Sequence, residues 1–532
     1  MSPRCGELRH RRSEALNVLR TRPPTRRVQW WVSFALFTLL VSAWAFSNPL
    51  MAGPDEPEHM MRAASVARGE LIGPTEPGQP DHLRFVKIPT RLARARFTAA
   101  CYAFRPRIPA GCEVSLDAGP HGSLRTPISN GRFPPTPYGV LGLPSLVNDS
   151  NAGVYLMRLW GAALCGALFA SALLSLREAR VPWLAMTGLA FALTPMVFFV
   201  ASLVNPSNLE IAGGVALWAS GAVLVAKARD GVVDGRIVAR TAIGAGVLVL
   251  ARPLGMVWLG MAAVVLLLLC TRAALLRLLR ARAVQIGAGV VALCIAFELG
   301  WINYYDSLDS KTPPGPSAEG FGALEVFRQT LGTTSPAYRE MVGFFGWVEV
   351  PAPALTFVLW SAALGVLVAL AIGLARRGAA LMIAALAGLI VLVPAVLEFI
   401  EARRFGFGWQ GRYTLPLAVG LPILCGFTLA QEPARRLPRG RLTIVLGVAF
   451  VVAHFLAFWQ NLRRYAVGIN GPLLFWWDAD WSPPMPSLLV LVGYAALLVA
   501  LAVWLWGGKP DAETADAEST TTASTRQVPG LE

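Results

Sequence analysis

Charge is what this sequence has least of. Of its 532 residues, 15% are Asp, Glu, Lys or Arg, where soluble domains carry about 25%. Histidine occurs five times and cysteine seven times. No G-x-x-x-x-G-K-[ST] loop is present to cradle nucleotide phosphates, and no Cys/His run has zinc spacing, so ATP-driven and zinc-dependent chemistry find no footing. Acidic residues are scarcer than basic ones, 32 against 47, leaving a net charge of +15. That excess does not point to nucleic acid. Most of the Lys and Arg sit before the first apolar run or in short links between runs, where they orient membrane helices.

What is abundant is apolar residue, at 55% of the chain with a mean hydropathy of +0.52. It comes in blocks of roughly 17 to 25 residues, the length that crosses a hydrocarbon core. Candidate helices run near 30–47, 153–176, 182–204, 208–227, 237–251, 253–271, 284–302, 354–375, 379–400, 414–430, 442–461 and 486–506. The expected fold is therefore an all-α polytopic membrane protein of about twelve transmembrane helices. The two halves around ARPLG (251–255) are short, and Pro394 and Pro416 are expected to interrupt their helices. Breaks of this kind persist in a membrane where the freed backbone is buried or lines a cavity.

Arg9, Arg11, Arg12, Arg20, Arg22, Arg26 and Arg27 precede the first span. Later basic clusters follow alternate spans, at Arg177 and Arg180, 227–240, 272–282, Arg376 and Arg377, and 435–441. The positive-inside rule puts all of them, and both termini, in the cytoplasm. Residues 1–29 then form a basic cytoplasmic segment, 30–506 the membrane domain, and 507–532 a disordered cytoplasmic tail. Three extracytoplasmic segments result: a long first loop at 48–152, then 303–353 and 462–485. Cys101 and Cys112 share the first of these as CYAFRPRIPAGC. On the oxidising side they are expected to form a disulfide, worth about 3 kcal/mol for so short a loop.

The stretch GPDEPEHMMRAASVARGE (53–70) follows span one directly. It reads as a helix, with Asp55 and Glu58 matching a capping box, Pro57 in the first turn and Gly69 at the end. Its apolar face predicts a helix lying in the headgroup plane. Two readings of the acids stand: they cap the helix, or they form a site. For the second, Asp55 or Glu56, His59 and Arg62 recur at three- and four-residue spacing and share a face. Glycosyl transfer from a polyprenyl-phosphate sugar needs one base for the acceptor hydroxyl and cations for the departing phosphate. Arg252 lies at the ARPLG break, and Arg403, Arg404 and Arg412 lie in EARRFGFGWQGRY. All four are on the outer side, against the positive-inside trend, and an interfacial cation is a functional candidate. Snorkelling, or pairing with Glu398 and Glu401, is the competing account. Asp478 and Asp480 in WWDADWSPP suit an interfacial aromatic belt better than a metal site.

These segments resemble a family of bacterial membrane proteins catalogued as domain of unknown function 2142. The likeness lies in PDEPEHMMRA after span one, and in FPPTPYGVLG with Pro134, Pro135 and Tyr138. It continues through VNPSN with Asn205 and Asn208, FGWVEVPAP with Trp347 and Glu349, and WQGRYTLP with Gln410, Arg412 and Tyr413. That family is similar in architecture to the GT-C class of membrane glycosyltransferases. The resemblance implies an enzyme of the bacterial cytoplasmic (inner) membrane that takes a sugar from a polyprenyl-phosphate carrier. The acceptor would be an envelope glycan, lipid or protein. It also implies Asp55 as leading base and Glu56 as a neighbour binding an acceptor or a divalent cation, magnesium or manganese. No other cofactor is implied. A lipid-linked saccharide flippase, or a non-catalytic subunit of an envelope-assembly complex, are the other classes these features fit.

Overall fold

The computed structural model describes residues 25–80, 82–308, 320–431 and 438–507, with the side chains of residues 403–405 left aside. The basic segment before Thr25, the tail after Gly507, and Asp309 lie outside the described residues. The principal helices in chain order are α1 (Arg26–Ser47), α2 (Glu56–Ala67), α3 (Thr136–Gly142), α4 (Asn151–Leu176), α5 (Pro182–Ala192), α6 (Pro195–Ala201), α7 (Ser207–Arg229), α8 (Gly235–Ala251) and α9 (Leu254–Leu268). They continue as α10 (Arg272–Arg280), α11 (Arg282–Tyr305), α12 (Ala323–Gly332), α13 (Thr334–Gly343), α14 (Ala354–Leu374), α15 (Arg377–Phe405), α16 (Gly411–Ala418), α17 (Gly420–Gln431), α18 (Arg439–Val467) and α19 (Ser487–Trp506). Among the described residues the strands are two short antiparallel pairs, β1 (Arg84–Pro89) with β2 (Ser123–Ile128) and β3 (Phe344–Phe345) with β4 (Val350–Pro351).

The apolar segments expected to be helical are helical over most of their lengths, and among the described residues nine helices, α16 with α17 counted as one, are long and apolar enough to cross a membrane. A bent pair, α5 with α6, makes ten. The remaining two, α8 and α9, have 17 and 15 residues, about 25 and 22 Å at 1.5 Å per residue, short of a 30 Å core. They meet at Arg252, whose extended backbone (φ −155°, ψ 152°) ends α8. Pro394 lies within a continuous α15 and does not end it; Pro416 lies near the end of α16, which stops at Ala418 before α17 begins at Gly420, and Pro416 O is taken up by Trp218 Nε1 at 3.1 Å.

The expected single span at 182–204 is instead broken by 65° between α5 and α6. Pro195, at the first position of α6, brings no amide hydrogen to continue α5, and sharp kinks arise at proline for that reason. The freed groups find partners. His454 Nε2 contacts Leu193 O at 3.0 Å, and Thr194 caps α6 through Val197 N while its hydroxyl donates to Met341 O. Close helix approach elsewhere depends on small residues. A Cβ on Gly214 of α7 would come within 2.8 Å of Pro416 O, so the contact that seats α16 against α7 admits no side chain.

Residues 48–150 fold over the end of α1. The apolar face of α2, expected to meet lipid, is covered by protein: Glu56, Pro57 and everything from His59 to Val66 are buried, enclosed by α3, the β1–β2 pair and neighbouring turns. Cys101 and Cys112 form the expected disulfide. Arg464, near the end of α18, clasps this segment. Its guanidinium donates to the carbonyls of Ile108, Tyr102 and Arg105 and to Glu349 Oε1 at 2.8 Å.

Replacing His454 with Phe keeps the ring among Phe198, Trp360 and Phe450 but leaves Leu193 O unpaired. The expected cost is about 1–3 kcal/mol, read as a lowered midpoint of thermal unfolding in detergent. Parent-like stability would mean that the broken span does not depend on this bond.

Candidate functional site at the end of the first span

Asp55 enters α2 with φ 60° and ψ 6°, the left-handed region that non-glycine residues adopt at a cost of roughly 1–2 kcal/mol. A side chain caps helix amides from the extended region, so this backbone turns the carboxylate away from them. The capping box does not form: Asp55 makes no cap hydrogen bond, and Glu58 Oε2 accepts from Ser129 N and Oγ at 2.9 and 3.2 Å. The Asp55 carboxylate meets Arg412, whose Nη2 donates to Oδ2 at 2.6 Å. The pair is lopsided, since the Arg412 side chain is 2% exposed and that of Asp55 51%. Burial works to raise the Asp55 pKa, but the charge and hydrogen bond of Arg412, with further contributions from His59 and then Arg252, hold the carboxyl below its ordinary 3.8.

Arg412 is placed by the first turn of α16. Its Nη1 donates to Pro54 O at 3.4 Å and its Nη2 also to the Tyr413 hydroxyl at 3.1 Å. Its Nε is buried with no hydrogen-bond partner among the described residues. Arg252, brought in by the α8–α9 break, donates to Ser207 Oγ at 2.7 Å. The Tyr413 ring joins the two cations: its centroid is 4.8 Å from the Arg252 guanidinium carbon and 5.0 Å from that of Arg412. Each contact is a favourable cation–π pair.

On α2, His59 Nδ1 lies 2.9 Å from the Tyr138 hydroxyl and 3.3 Å from Asn130 Nδ2. The assignment that satisfies both makes Nδ1 the acceptor and puts the proton on Nε2. Burial pushes the His59 pKa from 6.5 to about 3; Asp55 opposes the shift, and Arg252 and Arg412 add to it. Arg62 is buried over the Tyr138 ring and donates to Phe133 O at 2.8 Å, with Nε and Nη1 unpartnered among the described residues. His59, Phe133, Tyr138, Arg252, Leu254 and Leu308 are among the residues that line a cleft of about 100 Å³. Its lining mixes apolar side chains with a cation and an imidazole.

Glu56 does not join this group. Both its oxygens accept from Arg158, at 2.8 and 2.7 Å, and they also take Val204 N and Gly53 N. Arg158 spends its other donors on the carbonyls of Ala45, Asn48 and Pro49. Both side chains are fully buried. This pair bolts the end of α1 to α4 and to the turn before α7, and removing one partner would strand a buried charge. Asn205 holds the same turn by donating to Pro54 O at 3.1 Å. Trp347 braces it through Met51 O at 3.2 Å, and Glu349 is occupied by Arg464. Gln410 forms the N-cap of α16, its Oε1 buried without a partner among the described residues. Arg403 and Arg404 lie on the last turn of α15, their side chains beyond description.

Three contributors went unnoticed in the sequence. Arg158 stood alone in the apolar run NAGVYLMRLW, where a membrane-embedded cation is itself a signal. Glu210, buried on the first turn of α7, follows Ser207 by three residues. Asn130 carried no signal. Among the described residues no three His, Cys, Asp or Glu gather to hold a metal ion. Asp55 and Glu56 are held by different arginines and do not converge on a common metal position.

An all-α membrane protein with a mixed-charge site where its first span ends is thus defined. Residues 37–421 match the family model described as predicted membrane protein, DUF2142, and the chain belongs to that family. No curated protein matches it. Among solved structures, ArnT from Cupriavidus metallidurans in the apo state is similar over 90% of this chain and 78% of that one, at 15% identity and a TM-score of 0.41.

The lowered His59 pKa makes a prediction. The folded protein keeps the ring neutral while the unfolded chain protonates near 6.5, so the stability linked to His59 is whole above that value and drains away as pH falls toward about 3. Between about pH 7 and pH 5 the parent should lose more thermal stability than His59→Gln. Equal losses would mean that the imidazole is not held neutral.

Proposed function

We propose that the protein is a GT-C-like glycosyltransferase that moves a sugar from a polyprenyl-phosphate carrier to an envelope glycan, lipid or protein on the outer side of the bacterial cytoplasmic membrane. The carrying observation is the Asp55–Arg412 pair, one ring away from Arg252, beside a cleft that combines a cation with apolar wall. A lipid phosphate needs that combination: guanidinium for the head and apolar surface for the first isoprene units. The acceptor oxygen forms a bond to the anomeric carbon while the bond from that carbon to the phosphate oxygen breaks. The acceptor proton goes to Asp55, acting as general base. The electron pair goes to the phosphate, whose growing charge faces Arg252 and Arg412. His59, neutral and protonated on Nε2, can donate to a phosphate oxygen without repelling Arg252. The leaving phosphate needs no acid, which fits a site with one available carboxylate. Tyr138 lines the cleft with Arg62 against its ring, Tyr413 lies beside the two cations with Gln410 at the start of its helix, and Asn205, Trp347 and Glu349 hold the surrounding turns.

The broken helices α5–α6 and α8–α9 favour a second reading, a flippase for the same lipid, because transporters build sites on discontinuous helices. The two readings part on bond formation.

Asp55→Asn, inserted normally in the membrane, should lower sugar transfer at least about a hundredfold. Lipid extracts from a strain lacking the protein should accumulate a sugar-phosphate-prenol that identifies the donor. Full activity in Asp55→Asn removes Asp55 as base. Movement of labelled lipid-linked sugar across proteoliposomes with no new glycosidic bond overturns the transferase in favour of the flippase.

A further inference from the structure

We propose that Arg412 is a shared ligand, held by Asp55 in the empty protein and surrendered to the phosphate of a prenyl-phosphate lipid, so that the arriving anion itself uncovers the base. The proposal rests on the transferase reading and adds an order of events to it.

Four observations carry it. Arg412 is almost fully buried, so its charge must be met by a protein group or a ligand and not by bulk water. Asp55 is its one carboxylate partner among the described residues, and because that carboxylate is half exposed, water can replace the guanidinium when it leaves. Arg412 also has unused capacity: of its five donor hydrogens, the one on Nε has no partner among the described residues. Finally, Arg252 waits across the Tyr413 ring with a hydroxyl partner and no ion pair among the described residues. A phosphate entering the cleft meets Arg252, which lines it, and finds Arg412, one ring away, occupied by Asp55. Both hydrogens of Nη2 are already taken, by Asp55 and by the Tyr413 hydroxyl, so a phosphate that binds there displaces one of them, and the negative charges of carboxylate and phosphate repel each other across the guanidinium.

The sequence of charges closes on itself. Before the donor binds, Arg412 masks Asp55, and the masked carboxylate is a poor base for stray water. With the phosphate seated on Arg252 and Arg412, Asp55 is free to take the acceptor's proton. After transfer Asp55 is neutral and the prenyl phosphate carries the added negative charge. When Asp55 returns its proton to water, it competes again for Arg412 and helps expel the product. Masking thus limits wasteful hydrolysis, and unmasking ties base strength to donor occupancy.

The test is binding of decaprenyl phosphate to the purified full-length protein in nanodiscs, with no acceptor present. Asp55→Asn keeps the shape of the side chain but removes its charge, so it should bind the lipid about tenfold more tightly than the parent. Asp55→Ala, which cannot hydrogen-bond Arg412 at all, should do so as well. Adding Arg412→Met to Asp55→Asn should abolish the gain. Unchanged or weaker binding in both Asp55 variants overturns the sharing and leaves the transferase reading standing. Failure of parent and variants alike to bind the lipid saturably overturns both. Inorganic phosphate is the parallel arm: if it binds as tightly as the lipid and gains as much from Asp55→Asn, the site belongs to free phosphate and the lipid assignment falls.

Discussion

One ion pair organises the site. Arg412 reaches from the first turn of α16 to Asp55 at the start of α2, across 357 residues of sequence, and closes to 2.6 Å. To make this contact Asp55 adopts a left-handed backbone and gives up the helix-capping role that its sequence advertises. Strained φ and ψ values at a non-glycine residue persist where surrounding structure enforces them. Here the enforcement is visible in the buried Glu56–Arg158 bolt one residue further on, the Asn205 bond to Pro54 O and the Trp347 bond to Met51 O.

Two adjacent acids thus have opposite roles, and burial decides which is which. Glu56 is sealed, doubly bonded to Arg158, and is part of the scaffold. Asp55 is half exposed, bonded through one oxygen, and can exchange partners. The same contrast separates the arginines. Arg158 and Arg464 each grip three carbonyls and an enclosed carboxylate and knit loops to spans, whereas Arg252 has no carboxylate partner among the described residues and Arg412 holds one that is half exposed. A site for an anionic lipid head needs the second kind, supported by the first.

Much of the fold was legible because length and hydropathy set the helices directly. The break at Arg252 was legible too, because Pro253 and the flanking short runs announce it. The kink at Thr194–Pro195 was read through, since the apolar run continues across it and hydropathy is blind to a missing amide hydrogen. The enclosure of α2 was missed for a related reason: its apolar face suits lipid and protein equally, and only the folding of residues 48–150 decides between them. Within the site, the spacing of Asp55, His59 and Arg62 placed them on one helix, but spacing cannot report which acid faces inward. Nor can it reveal that Tyr413 bridges Arg252 and Arg412, because that contact is made between segments 160 residues apart.

The central claim is that charges of both signs at the end of the first span make one pocket for a phosphate carried by a lipid. An experimental structure of the full chain in nanodiscs with bound decaprenyl phosphate tests it most directly. The account predicts phosphate oxygens about 2.7–2.9 Å from guanidinium nitrogens of both Arg252 and Arg412, with Arg412 withdrawn from Asp55. A phosphate bound elsewhere on the protein, with the Asp55–Arg412 contact intact, would contradict it.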